Sequence, residues 1–180
     1  MSYCSEVNSG KLNCHHKYYH DNIYGFPVKS DNDLFGRLIL EINQAGLSWD
    51  IILKKEKTIK CAYKDYSFNE IAKFNETDIQ RILNDGGAIR MRRKIEAIIY
   101  NAKKVVSITE KHKSFKNYLN RYHPLSLYDW LSLFKKEFKF VGNEICKEFL
   151  MSTGYLAGAH KESCPIYKKV VKEKPMWLFQ

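Results

Sequence analysis

Three groups of residues have types and spacing that suit chemistry. In "LFGRLILEINQAGLSWD", Leu34 to Asp50, one carboxylate, Glu41, stands among apolar residues of helical period. A turn containing Gly46 follows, and then Trp49. At 100° per residue Glu41 lies about 20° from Leu34, at the margin of the apolar arc. Two readings are open there. Glu41 can face a pocket beside Trp49, or it can pair with Arg37, four residues earlier, for a few tenths of a kcal/mol. The second group is "LNDGGAIRMRRKIEAIIYNAKK", where Gly86 and Gly87 permit a hairpin whose amides approach an anion closely. Arg90, Arg92, Arg93 and Lys94 then open a helix whose N-terminal dipole favours phosphate. From Asn84 to Lys104 there are six basic and two acidic residues. The third group holds metal-ligand types: His160-x-x-x-Cys164 near one end, and Cys4, His20 and the run Cys14-His15-His16 near the other.

The elements that must position these residues read as helices. Ser30 to Asp33 resembles a capping box opening a helix through Glu41, while Ser67 with Glu70 and Thr77 with Gln80 have capping-box spacing. A longer helix is predicted over Arg92 to Val106, with Ile95, Ile98, Ile99, Ala102 and Val106 on one face. Ser126 introduces "LYDWLSLFKKEF", and "NEICKEFLMSTG" ends at Gly154, a helix C′ residue. Alternating strand patterns, repeats and Pro/Gly-rich linkers are not found. The expectation is an all-α fold with short connections, in one domain over 1–180, with a helix–hairpin–helix element at about 78–106.

The 180 residues, 44% hydrophobic and 14% aromatic, suffice for one substantial core. No apolar run approaches a membrane span, and "MSYCSEVNSG" has no signal-peptide pattern. A soluble, cytoplasmic protein is expected. Thirty Lys and Arg against 20 acids give a net charge of +10, which favours an anionic partner, nucleic acid first and an acidic membrane surface second. Five cysteines at irregular spacing argue against a disulfide framework. Cys61 and Cys146, in apolar helical contexts, read as buried thiols.

In order and spacing, "YHDNIYGFP", "LEINQAGLSWDIILKK", "GAIRMRRKIEAIIYNA", "FKFVG" and "GAHKESCP" resemble 3-methyladenine DNA glycosylase I over about Cys4 to Pro165. The resemblance implies a helix–hairpin–helix glycosylase fold and removal of alkylated bases from double-stranded DNA by a monomer. It places Glu41, Tyr19 and Trp49 at base-pocket positions, with Glu41 as the catalytic carboxylate. Methylation at N3 makes adenine cationic in the nucleoside, so the departing base is neutral and needs little activation. Discrimination then rests on stacking and on the Glu41 charge rather than on strong acid catalysis. No aspartate occurs from Ala88 to Tyr128, which matches the family's lack of the aspartate usual in the wider superfamily. Lys94 is the nearest candidate for a lyase nucleophile, but phosphate contact is the role read for it. Gly46 would let the backbone approach DNA, and Leu47 would wedge beside the extruded nucleotide. Cys4, His20, His160 and Cys164 match the family's ligands for one structural zinc, which would tie the two ends together.

Departures from the family pattern fall near the pocket. Glu6 stands where a Trp is common two residues after the first cysteine, and Ile23-Tyr24 replace Glu-Trp, so Tyr24 takes an aromatic base-binding position. The region Lys113 to Glu137 is shortened. The leading expectation is a monofunctional 3-methyladenine glycosylase of base-excision repair. The alternatives are a glycosylase for another modified purine, and a non-catalytic module that senses damaged DNA.

Overall fold

The computed structural model describes residues 2–179, and all regular elements among them are helical. In chain order they are α1 (Tyr3–Asn8), α2 (Cys14–Asn22), α3 (Asp31–Gln44), α4 (Trp49–Ala62), α5 (Phe68–Ile71), α6 (Glu76–Asn84), α7 (Arg92–His112), α8 (Phe115–Tyr122), α9 (Leu127–Glu137), α10 (Asn143–Ser152) and α11 (Tyr167–Lys172). Short 3-10 turns lie at Lys64–Tyr66 and Met176–Leu178.

Helix α3 is the hub. Ser30 caps it by accepting from the Asp33 amide, and its acidic first turn suits the positive end of the dipole. It packs on α4, α7, α8 and α10, so every residue from Leu34 to Asn43 except Arg37 is buried. Glu41, at the margin of the apolar arc in the sequence, is buried with the rest, because a helix surrounded on most sides has little margin to offer. Gly36 is needed where α3 meets the Lys64–Tyr66 turn, because a Cβ there would lie 2.2 Å from the Tyr66 ring.

Helix α7 runs six residues beyond the expected Val106, and packs on α3, α5, α6 and α8. It ends on Lys113 in the left-handed region. The cap expected at Thr77 is instead supplied by Asn75, whose side chain accepts from Thr77 and Asp78 while Asp78 reaches back to the Asn75 amide. Two capping residues two positions apart compete, and the Asn–Asp pair wins. Ser67 and Ser126 cap as read from the sequence, and Gly154 takes φ +81° just past α10. Cys146 is buried, but Cys61 is exposed, because it faces outward at the end of α4.

The main core runs from Leu34 on α3 through α4 to α10. Two smaller clusters adjoin it. One contains Tyr19, Tyr24, Leu53, Met151 and Ala159, with Trp49 packed against both it and the main core. The other contains Cys4, Cys164, Ile166 and Val170, and joins the two flanking segments of the chain. Among the described residues no helix is long and apolar enough to cross a membrane.

Candidate active site and metal cluster

The base of the site is set by α3 and the turn after it. The chain leaves α3 at Ala45, turns through Gly46 at φ +77°, and re-enters a helix at Trp49 with Ser48 as cap. A side chain at position 46 would be strained by that φ, although the space around it is open. The reversal carries Trp49 back beside Tyr19 of α2, with ring centroids 5.1 Å apart and nearly perpendicular. Tyr24 sits 5.6 Å from Tyr19, and Tyr3 meets Tyr24 edge-on at 5.7 Å.

These rings enclose a cavity of about 880 Å³. Glu41, Tyr19, Trp49, Tyr24 and Gly46 all line it, so residues read separately from the sequence meet at one place. Glu41 as a residue is 95% removed from solvent, and its carboxylate accepts no hydrogen bond and makes no ion pair among the described residues. Burial, and next the nearby Glu148, push its pKa up to about 8, while Arg37 pulls the other way. No ion pair closer than 4 Å joins Arg37 to Glu41; Arg37 instead lies over the Tyr19 ring, 5.8 Å from its centroid, with its Nη1 buried and unbonded. Burial also pushes the Tyr19 and Tyr24 hydroxyls well above the usual range, which keeps both rings neutral.

Sequence reasoning missed Glu148, Tyr3 and His16 in the cavity wall. Tyr24 donates to Glu148 Oε2 at 3.0 Å. Tyr3 Oη meets His16 Nδ1 at 3.1 Å, and His16 Nε2 is 3.7 Å from Asp50. The aromatic type of Tyr3 beside a candidate ligand was the one available signal. Glu148 gave none, because a glutamate within α10 looks like any exposed helical acid.

The turn between α6 and α7 differs in part from expectation. Neither glycine takes a positive φ, and only Gly87 serves space: a Cβ there would lie 2.8 Å from Thr58 Cβ, whereas Gly86 is open. The Gly87 amide already donates to Asp85 Oδ1 at 2.7 Å, so an anion has the Gly86 amide but not that one. Arg90 and Arg93 are exposed. Arg92 is partly neutralised, since its guanidinium binds Glu76 at 2.6 Å and Glu96 at 3.4 Å. No side chain caps α7, leaving its first amides open to an anion.

Lys94 requires a correction. It is 1% exposed and faces inward on α7, where its ammonium donates to the carbonyls of Asn43 and Ala45 at 2.7 and 2.6 Å. It therefore closes the C-terminal end of α3 and fixes the exit of the Gly46 turn, and neither phosphate nor a sugar can reach it. Burial lowers its pKa. Lys94→Met is expected to cost about 2–4 kcal/mol in urea unfolding, because two buried carbonyls lose their donor. Leu47, read as a wedge, is half-buried against the main core.

Among the described residues Cys4, His20, His160 and Cys164 form a buried group whose four ligand atoms lie within 4.8 Å of one another. Cys4 Sγ is 3.6 Å from His160 Nδ1, and Cys164 Sγ is 3.6 Å from His20 Nε2 and 3.7 Å from His160 Nδ1. Tetrahedral zinc, with bonds of about 2.3 Å to sulfur and 2.0–2.1 Å to nitrogen, sets S···N edges of about 3.6 Å, so the donor set fits that ion. The far ring nitrogens are oriented as metal-binding histidines require: His20 Nδ1 on Asp21 at 2.7 Å, His160 Nε2 on the Tyr24 carbonyl at 2.8 Å. The rival residues Cys14 and His15 are exposed and His16 is engaged with Tyr3, so the run at 14–16 does not join the group.

A family model described as methyladenine glycosylase matches residues 10–129. DNA-3-methyladenine glycosylase 1 of Escherichia coli K12 is 33% identical over 168 residues, covering 83% of this chain and 89% of that protein. The DNA-3-methyladenine glycosylase of Haemophilus influenzae is 31% identical, covering 82% and 89% respectively. Among solved structures, 3-methyladenine DNA glycosylase I from Staphylococcus aureus, studied for its recognition of 3-methyladenine, superposes with a TM-score of 0.82 at 27% identity, covering 92% of this chain and 97% of the other. A tyrosine-to-phenylalanine variant of 3-methyladenine DNA glycosylase I in complex with 3-methyladenine also gives 0.82 at 27% identity, covering 90% and 97%.

Proposed function

The chain belongs to the methyladenine glycosylase family, and from that premise we propose how its cavity carries out the family's reaction. The protein is a DNA glycosylase of base-excision repair that removes 3-methyladenine from alkylated DNA by hydrolysing the N-glycosidic bond. The observation that carries the reading of the site is a buried, unpaired carboxylate, Glu41, set among the aromatic faces of Tyr19, Trp49 and Tyr24.

The extruded base stacks on these rings, and Glu41 accepts from its edge and balances its positive charge. When the bond from N9 to the sugar C1′ breaks, both electrons pass to the base and neutralise it. Positive charge develops on the sugar, water oxygen adds at C1′, and the water's proton is released, leaving an abasic site. Neither a lysine nor an aspartate lines the cavity, which suits hydrolysis of an already activated bond without a covalent amine intermediate. Cys4, His20, His160 and Cys164 would hold one structural zinc, since two thiolates and two imidazoles make a complete protein donor set for that ion. Its part is to fix the segments carrying Tyr3 and Tyr24.

Phosphate contact falls to the exposed Arg90 and Arg93, the Gly86 amide and the open N-terminus of α7, in a helix–hairpin–helix arrangement. Leu47 beside Gly46 enters the duplex next to the extruded nucleotide. The protein acts as a single-domain monomer on duplex DNA. Charge reversal at Arg90 and Arg93 together is expected to weaken binding to all duplex sequences and to lower the salt slope by about 2. Unchanged affinity and slope in a salt titration would remove this turn from the DNA interface.

The deciding assay is release of bases from alkylated duplex DNA with the products identified. Free 3-methyladenine is the expected product. Release of a different purine alone would favour the altered-specificity reading, and tight binding without any release would favour a damage-sensing module.

A further inference from the structure

The protein carries a net charge of +10, yet no lysine or arginine lines the cavity that holds Glu41, whereas Glu6, Glu41, Glu144 and Glu148 do. Acidic residues gathered at a surface are common, but two features here point to an occupant. Glu41 is 95% buried within the cavity wall and has no bonding partner among the described residues. Glu148, half-buried in the middle of α10, makes no ion pair within 4 Å among them and is held on the cavity side by the Tyr24 hydroxyl at 3.0 Å. Two carboxylates facing one low-dielectric space repel each other unless a cation or a proton lies with them.

We propose that Glu148, aimed by the Tyr24 hydroxyl, is a second carboxylate that contacts the extruded base, and that with Glu41 it selects bases bearing a formal positive charge. The inference rests on the glycosylase reading of the cavity and assigns its charge discrimination to two residues on different helices. Aromatic faces accept any purine, since every base has a π face. A neutral adenine stacked there leaves both carboxylates uncompensated, whereas an N3-methylated adenine still attached to its sugar compensates them. Tyr24 contributes twice, through its ring and through a hydroxyl that fixes the Glu148 rotamer and occupies one lone pair, leaving the second oxygen for the base. The polyanionic substrate is gathered by the basic exterior, and only a cationic base suits the acidic interior.

The reaction moves positive charge from the base to the sugar. A carboxylate at the base edge therefore strengthens binding of the intact lesion more than it speeds bond cleavage, and its removal appears in KM. A purely structural Glu148–Tyr24 bond would not divide the kinetic constants in that way.

The test uses 3,9-dimethyladeninium, a permanent cation with methyl in place of deoxyribose, and its neutral counterpart 9-methyladenine. Wild type should bind the cation at least about tenfold more tightly. In Glu148→Gln that ratio should fall roughly tenfold, with affinity for 9-methyladenine unchanged within about twofold, and KM for methylated DNA should rise while kcat holds. Glu148→Asp, which keeps the charge, should restore part of the preference. The inference is overturned if Glu148→Gln keeps the full ratio, or if it weakens both probes equally with a lowered Tm. Failure of wild type to release 3-methyladenine at all would instead overturn the glycosylase reading beneath it.

Discussion

Replacing Glu41 by glutamine should lower kcat/KM for 3-methyladenine release roughly ten- to a hundredfold, the equivalent of one charge-assisted hydrogen bond at about 1.5–3 kcal/mol. The substitution keeps size and shape and breaks no contact within the chain, because Glu41 has no bonding partner there among the described residues. Stability should move the other way. Burial raises the folded pKa of Glu41 from 4.5 to about 8, so the folded protein holds this proton more tightly than the unfolded chain does. The resulting stabilisation is fully present below pH 4.5 and is lost as pH rises through about 8. At pH 8 and above a buried charge remains, at a cost of at most about 4–5 kcal/mol. Glu41→Gln should therefore match wild type near pH 4 and exceed it in Tm near pH 8. In wild type, kcat/KM should climb with pH as the free enzyme's Glu41 ionises, and that climb should be missing from the variant. A structural pair with Arg37 predicts normal excision and a small loss of stability, reproduced by Arg37→Ala. Full activity in Glu41→Gln across pH 6–9 would take the residue out of the site.

Removing one metal ligand should have the largest effect on folding. Cys164→Ser should abolish stoichiometric zinc, measured by elemental analysis, and lower Tm by about 10 °C or more. A loss of several kcal/mol at about 2–4 °C per kcal/mol gives that size. Cys14→Ser should change neither zinc content nor Tm, since its thiol is exposed and lies outside the cluster. Chelation of the intact protein should reproduce the Cys164→Ser result and reduce excision as well. His160 holds the Tyr24 carbonyl, and Tyr3 packs on both His20 and Tyr24, so the cluster and the cavity share a wall. Zinc retained in Cys164→Ser and lost in Cys14→Ser would move the site to the rival residues.

Local features were legible in the sequence where a single turn of chain decides them. Ser30, Ser67 and Ser126 cap their helices because a hydroxyl and an amide three residues on need nothing else. Thr77 failed because Asn75 competes for the same helix start. Lys94 was misread from its charge, although its register with Ile98, Asn101 and Val105 places it on the buried face of α7. There a long side chain can reach carbonyls on another helix, which spacing within α7 does not reveal. Glu41, Tyr19 and Trp49 were found through motif resemblance, and the cavity brings them together. Glu148 was beyond reach: it lies 107 positions after Glu41, and only the packing of α10 on α3 brings the two into one cavity.

The cluster that joins the flanking segments also imposes an order in time. Its first member is Cys4 and its last is Cys164, so the four side chains cannot meet until synthesis has passed residue 164. The hub helix α3 and its partners through α8 can pack earlier, as successive stretches leave the ribosome. Tyr3 and Tyr24, which pack against the histidines of that group, are then set last. A polypeptide interrupted before residue 160 would lack two of the four grouped side chains and the contact of His160 with the Tyr24 carbonyl. A metal held by these four side chains would act as a clasp, closing only after the helices that carry Glu41 and Glu148 have been made.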